Sequence, residues 1–157
     1  MADGKGRYAQ IVQKLKTHGH HLTPQRLAII KAIVESDRHP SVEEIHARLR
    51  KTFPTMSLAT VYRNVMLLKS LGEVLALGFP DGSNRYDGRH PFPHPHVVCV
   101  RCKKIVDPEL QSGRELARAV GDATGFRILS HRLDFFGICR DCEAAGKKGC
   151  GAGQAAK

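Results

Sequence analysis

The chain has no tryptophan, and acidic side chains are scarce, 15 against 25 Lys and Arg. It also lacks any apolar run near the roughly 20 residues needed to span a bilayer, which argues against a helical membrane protein. No secretory leader is recognisable, so a reducing, cytoplasmic setting is expected and disulfides are disfavoured. The missing Trp does not preclude a core, because 41% of the 157 residues are hydrophobic. That length allows one ordinary domain or two small ones. The shortage of acid leaves a formal net charge of +10 and a pI near 9.7. Such a balance favours polyanionic partners, nucleic acid before membrane. The excess leans toward the N-terminal half, +6 up to residue 80 against +4 beyond it.

What is present is concentrated in five cysteines, four of them in two Cys-x-x-Cys pairs, Cys99/Cys102 and Cys139/Cys142. Each pair can present two thiolates to one ion, and four thiolates complete the closed tetrahedral shell that zinc prefers. A lone pair could be a redox dithiol; a matched second pair favours structural zinc. Cys150 lies in a Gly/Ala/Lys-rich tail expected to be disordered, where an idle thiol is the simplest reading.

The N-terminal half reads as helices with start signals. Residues 7–17 are amphipathic, with Ile11, Val12 and Leu15 on one face. Thr23-Pro24 supplies an N-cap and a proline at the first helical position. Ser41-Val42-Glu43-Glu44 fits a capping box, opening a helix to about Lys51. Ser57 caps a further helix, Leu58 to Leu71, which Gly72 stops. Glu73–Phe79 and Asn84–Asp87 are strand candidates joined by the turn signature Pro80-Asp81-Gly82-Ser83. Helices followed by a hairpin describe a winged helix-turn-helix, whose last helix would enter the major groove. Ser57, Thr60, Tyr62, Arg63 and Asn64 lie where base and phosphate contacts are expected. The bland alternative is a helix packed on a core with a merely wet polar face.

From Arg89 the composition changes. A Pro/His-rich stretch leads into an expected strand Val97–Val100, then a strand Lys104–Val106, a helix at about Ser112–Ala123 and a strand at about Phe126–Phe136. The fold class expected is α+β. A winged-helix DNA-binding domain (1–83) and a hinge (84–88) precede a small αβ metal-binding dimerisation domain (89–145) with a structural four-cysteine zinc site, then a tail (146–157).

A harder ligand set, His39, Asp87, His94, His96 and Asp107, lies beside the thiolates. His94-x-His96 on an extended segment puts both imidazoles on one side. Nitrogen and oxygen donors suit Fe(II), Mn(II) or Zn(II) in a reversible site. Spacing alone supports only the His94/His96 pair; taken singly, each of these residues is ordinary.

Further motifs run from Leu22-Thr23-Pro24-Gln25-Arg26 through Arg38-His39-Pro40, Ser57-Leu58-Ala59-Thr60-Val61-Tyr62-Arg63-Asn64 and Asn84-Arg85-Tyr86-Asp87. They continue with His94-x-His96-x-x-Cys99-x-x-Cys102, Lys104-Ile105-Val106-Asp107, His131-x-Leu133 and Cys139-x-x-Cys142. In order and over roughly residues 8–143, these resemble the ferric uptake regulator family. That resemblance implies a homodimeric, metal-dependent transcription factor that binds double-stranded operator DNA and is not an enzyme. Within the family the chain most resembles the peroxide-responsive repressors. This implies a regulatory site on His39, Asp87, His94, His96 and Asp107, filled by Fe(II) or Mn(II), with hydrogen peroxide as the signal and His39 or His94 as the oxidised residue. Iron and zinc sensors tend to carry Glu where this chain has Asp87 and Asp107. A further site of the iron sensors would fall on Pro93, Pro95 and Arg114, leaving His131 without partners. An iron- or zinc-responsive repressor of the same fold is the runner-up. A metallohydrolase fits worse, since no general base accompanies the ligands, and a zinc-stapled interaction module leaves the charge unused. One departure concerns DNA: relatives often carry Lys or Arg where this chain has His21, which weakens the expected pull on the minor groove.

Overall fold

The computed structural model describes residues 4–79, 83–108 and 113–146. The first three residues of the expected turn, Pro80 to Gly82, together with Ser112 and the tail from 147 including Cys150, lie outside the described residues. The chain forms two compact units, one ending at Phe92 and the other beginning at Pro93. Among the described residues the class is α+β.

The first unit contains α1 (Gly4–Thr17), α2 (Pro24–Val34), α3 (Val42–Leu49), α4 (Leu58–Ser70), β1 (Leu75–Gly78) and β2 (Asn84–Asp87). Local chemistry sets the helix starts. Thr23 accepts from the Arg26 amide, Ser57 accepts from the Thr60 amide, and Ser41 with Glu44 closes a reciprocal capping box. Gly72, at φ +71°, follows the last turn of α4, a conformation glycine tolerates without a steric penalty. Ile11, Leu15, Ile30, Ile33, Val61, Val65 and Leu68 are fully or almost fully buried in one cluster. Each large apolar side chain removed from water in this way contributes about 1.5–3 kcal/mol before the entropy cost.

A polar staple secures α1, which begins three residues before the expected start. The buried Arg7 donates from Nε to the Gly88 carbonyl and from Nη2 to the Glu73 carbonyl, both at 2.9 Å, and its Nη2 lies 2.6 Å from Glu73 Oε2. Lys14 reaches Glu73 Oε1 at 2.6 Å and the Leu71 carbonyl at 2.7 Å. β1 and β2 pair antiparallel, Leu75 opposite Asp87 and Gly78 opposite Asn84.

The second unit contains β3 (His96–Cys99), β4 (Ile105–Val106), α5 (Gly113–Thr124), β5 (Asp134–Gly137) and α6 (Arg140–Ala144). β3 is central, antiparallel to β4 and parallel to β5. The strand expected over Phe126–Phe136 is corrected to four residues. Its ladder partner β3 is itself four residues long, so pairing runs only from His96 opposite Asp134 to Cys99 opposite Gly137. Phe126 and Leu129, upstream of it, are 74% and 81% exposed. α6, just after the last sheet strand, was not foreseen from the sequence.

Candidate metal centres and the exposed helix

The four paired cysteines converge in the second unit. β3 ends at Cys99, and Lys103, at φ +61°, turns the chain so that its amide meets the Cys99 carbonyl and the Cys99 amide meets the Lys104 carbonyl. Cys139 caps α6, and Cys142 sits within it. Their four Sγ atoms lie within 4.8 Å of one another, and none is in a disulfide. Cys102 and Cys139 Sγ are 3.7 Å apart, close to the roughly 3.8 Å edge of a tetrahedron built on zinc–sulfur bonds of about 2.3 Å. The donor set therefore fits a closed zinc shell. Burial alone would raise the Cys99 thiol, but amides of Cys102, Cys139 and Arg101 outweigh it and hold it at about 6. Cys102 is pushed up: the Lys104 amide favours its thiolate, yet burial and the sulfurs of Cys99 and Cys139 prevail. Crowded thiols of this kind resist full ionisation until a cation shares the charge. Arg101, within the first pair, donates to the carbonyls of Cys142 at 2.7 Å and Gly146 at 3.0 Å, clasping α6.

The harder donors form two sets, one in each unit. In the first unit, His39 Nε2 lies 3.7 Å from Asp87 Oδ2, both side chains buried. The Tyr86 amide bonds the Pro40 carbonyl at 3.1 Å, which brings β2 beside the α2–α3 connection. His39 holds φ +50° immediately before Pro40, a left-handed conformation that costs a non-glycine residue free energy. Asp87 Oδ1 accepts the amides of Arg89 (2.8 Å) and His90 (3.1 Å), fixing its carboxylate. Gly88 permits this turn, since a Cβ there would come within 2.6 Å of Ile33 Cγ2.

In the second unit, His94, His96 and Asp107 each offer a donor within 4.8 Å of the others. The two imidazoles are 4.2 Å apart between centroids, and their Nε2 atoms lie 3.5 and 3.9 Å from opposite oxygens of Asp107. His131 packs against the start of α5, where a Cβ on Gly113 would lie 2.6 Å from its Nε2.

On α4, Tyr62 is 52% exposed and Arg63 is exposed, whereas Thr60 and Asn64 are half-buried. Ser57 Oγ bonds Thr60 Oγ1 at 2.9 Å, so both hydroxyls serve the helix cap. Asn64 bridges helices, accepting from Arg26 Nε at 2.7 Å and donating to the Thr60 carbonyl. His21 is exposed, and its carbonyl accepts from Arg26. Sequence reasoning missed Arg101, the Arg7–Glu73–Lys14 staple and Asp134. Only the conspicuous isolation of Glu73 after a helix stop offered any signal.

A sequence profile of the Ferric uptake regulator family matches residues 17–136. The chain belongs to this family. Members are transcriptional regulators rather than enzymes, and this Fur-family chain is a metal-responsive repressor by descent. It is 39% identical over 136 residues to the peroxide-responsive repressor PerR of Staphylococcus saprophyticus, covering 84% of this chain and 88% of that protein. The structure of the Campylobacter jejuni peroxide stress regulator aligns with TM-score 0.66 and 29% identity over 83% of this chain and 98% of the other. The Helicobacter pylori ferric uptake regulator, described with three functional metal binding sites, aligns with TM-score 0.76 over 90% of this chain and 94% of its own. At 22% identity it speaks for the fold alone. Among the described residues no helix is long and apolar enough to cross a membrane.

Proposed function

We propose that this Fur-family repressor is a peroxide sensor. The observation that carries the reading is the pairing of buried His39 with Asp87 in one unit and of His94 and His96 with Asp107 in the other. Aspartate stands at both carboxylate positions, and a peroxide-responsive repressor is 39% identical. His39, Asp87, His94, His96 and Asp107 act as one five-ligand regulatory site for Fe(II) or Mn(II), and the four cysteines hold a structural zinc. Nitrogen and oxygen donors without thiolate match the first assignment, and the sulfur tetrad the second.

The first unit is a winged helix-turn-helix domain, with α4 as recognition helix and the β1–β2 hairpin as wing. Exposed Tyr62 and Arg63 contact operator DNA, Arg63 having the planar fork that grips guanine or phosphate. Ser57 and Thr60 contribute mainly by capping the helix, and His21 adds a weak groove contact. The second unit dimerises. Its exposed Val97, Val106, Phe135, Phe136 and Ile138 exceed what scattered surface residues require. Because the regulatory ligands come from both units, an ion held by all five favours one arrangement of the chain and shifts its population toward the DNA-binding form. A coupling of about 1–3 kcal/mol changes operator affinity 5–150-fold.

Fe(II) in this site would supply an oxidant from hydrogen peroxide next to its imidazole ligands, whereas Mn(II) would not. His39 or His94 would then gain one oxygen from the peroxide, whose other oxygen leaves as water, and would ligate poorly, so that the ion is lost and the protein releases the operator. The test is operator binding with Mn(II) and with Fe(II), before and after peroxide, followed by intact mass. Expected is loss of binding and a one-oxygen gain for the Fe(II) form only. Equal oxidation with Mn(II), or none with Fe(II), would leave an iron- or zinc-responsive repressor as the better reading.

A further inference from the structure

Asp134 opens β5, and the parallel register sets it directly beside His96, the first residue of β3. Neighbours in register share a sheet face. The His96 imidazole is almost fully buried, with Nδ1 3.6 Å from Asp134 Oδ1 and Nε2 3.9 Å from Asp107 Oδ1. From its other side Asp134 is held by Arg132, whose Nε lies 2.5 Å from Oδ2. The strand is separately anchored by its backbone, the His96 amide donating to the Leu133 carbonyl at 3.0 Å. The carboxylate is therefore not needed for pairing, and nothing in the five-ligand set uses it.

A neutral imidazole carries one N–H, and only its other nitrogen can ligate a metal. Resting on the five-ligand reading above, we infer that Asp134 is a positioning residue for the regulatory metal. It draws the His96 proton to Nδ1 and leaves the Nε2 lone pair facing Asp107 and His94. Arg132 keeps the carboxylate aimed at the ring. Carboxylate–histidine–metal relays of this type orient the ring and increase its basicity, and losing the carboxylate weakens metal binding 10–100-fold. The 3.6 Å separation is long for a hydrogen bond, and a small shift of the ring toward Asp134 would close it.

The test uses the full-length, zinc-loaded protein. Long-range 1H–15N correlation spectra of the imidazoles, without added Mn(II), report the His96 tautomer, with its signal assigned from its loss in His96→Gln. The wild type should carry the proton on Nδ1, Asp134→Ala should shift it toward Nε2, and Asp134→Glu should restore it. Mn(II) titration should show Asp134→Ala weakened about 10–100-fold, with most of the loss recovered in Asp134→Glu. A wild-type proton on Nε2 overturns the inference, as does an Asp134→Ala variant with unchanged tautomer and Mn(II) affinity. If His96→Gln itself binds Mn(II) like the wild type, the five-ligand reading falls, while the tautomer spectrum still decides the Asp134–His96 link.

Discussion

The two units solve the same stability problem by different means. The first buries a continuous cluster of Ile, Leu and Val side chains beneath capped helices. The second, among its described residues, buries few hydrophobic side chains, chiefly Val98 and Ile105, alongside Cys99 and Cys142. Small domains bury too little apolar surface to be stable without a staple. The cysteine tetrad sits where that staple is needed, joining the end of the central strand to the helix that follows the last sheet strand. The unit rich in local signals is held by water-excluded carbon, and the poor one by sulfur that a metal can bridge.

The sharpest way to break this contrast is to remove a thiolate. Cys142→Ser should abolish tight zinc retention and strip hydrogen-exchange protection from β3 and β5, while α2 and α4 stay protected. The binding free energy at stake is about 10–16 kcal/mol for structural zinc. Equal protection loss in both units would mean that they do not differ in what holds them.

A smaller effect tests the buried Arg7–Glu73 ion pair of the first unit. Glu73→Gln leaves Arg7 with a weakened partner, and breaking buried pairs costs about 3–5 kcal/mol at most. Urea unfolding followed by helix circular dichroism would read it, with zinc content unchanged. Burial alone would raise the Glu73 carboxyl, but hydrogen bonds and charge from Lys14 and Arg7 hold it below its ordinary 4.5. Its contribution is therefore full above that ordinary value and declines as pH falls toward the depressed folded value. The gap between wild type and Glu73→Gln should close in acid; a gap that widens would contradict the staple.

The mildest change is Ser57→Ala. Losing an N-cap costs about 1 kcal/mol, which should fray the first turn of α4 and weaken operator binding modestly without affecting metal affinity. Thermal unfolding together with DNA titration separates the two effects.

Much of this protein was legible in its sequence because the informative signals are short-range. Thr23, Ser41 and Ser57 mark helix starts through bonds to residues three positions away. The two Cys-x-x-Cys spacings mark four thiols that converge, and His94-x-His96 predicts two neighbouring imidazoles, as found. Harder to read was the stretch from Phe126, where apolar residues suggested a long strand. Strand length there depends on a ladder partner nearly 40 residues upstream.

By itself, then, the sequence determined where α2, α3 and α4 begin and which thiols and imidazoles fall close together, since those properties depend on chemical identity and close spacing. Only the tertiary structure decided that β5 runs parallel to β3, that Asp134 stands behind His96, and that Glu73 is enclosed by Arg7 and Lys14. These are contacts between distant segments, chosen by competition among many possible pairings, and no local pattern records which pairing wins.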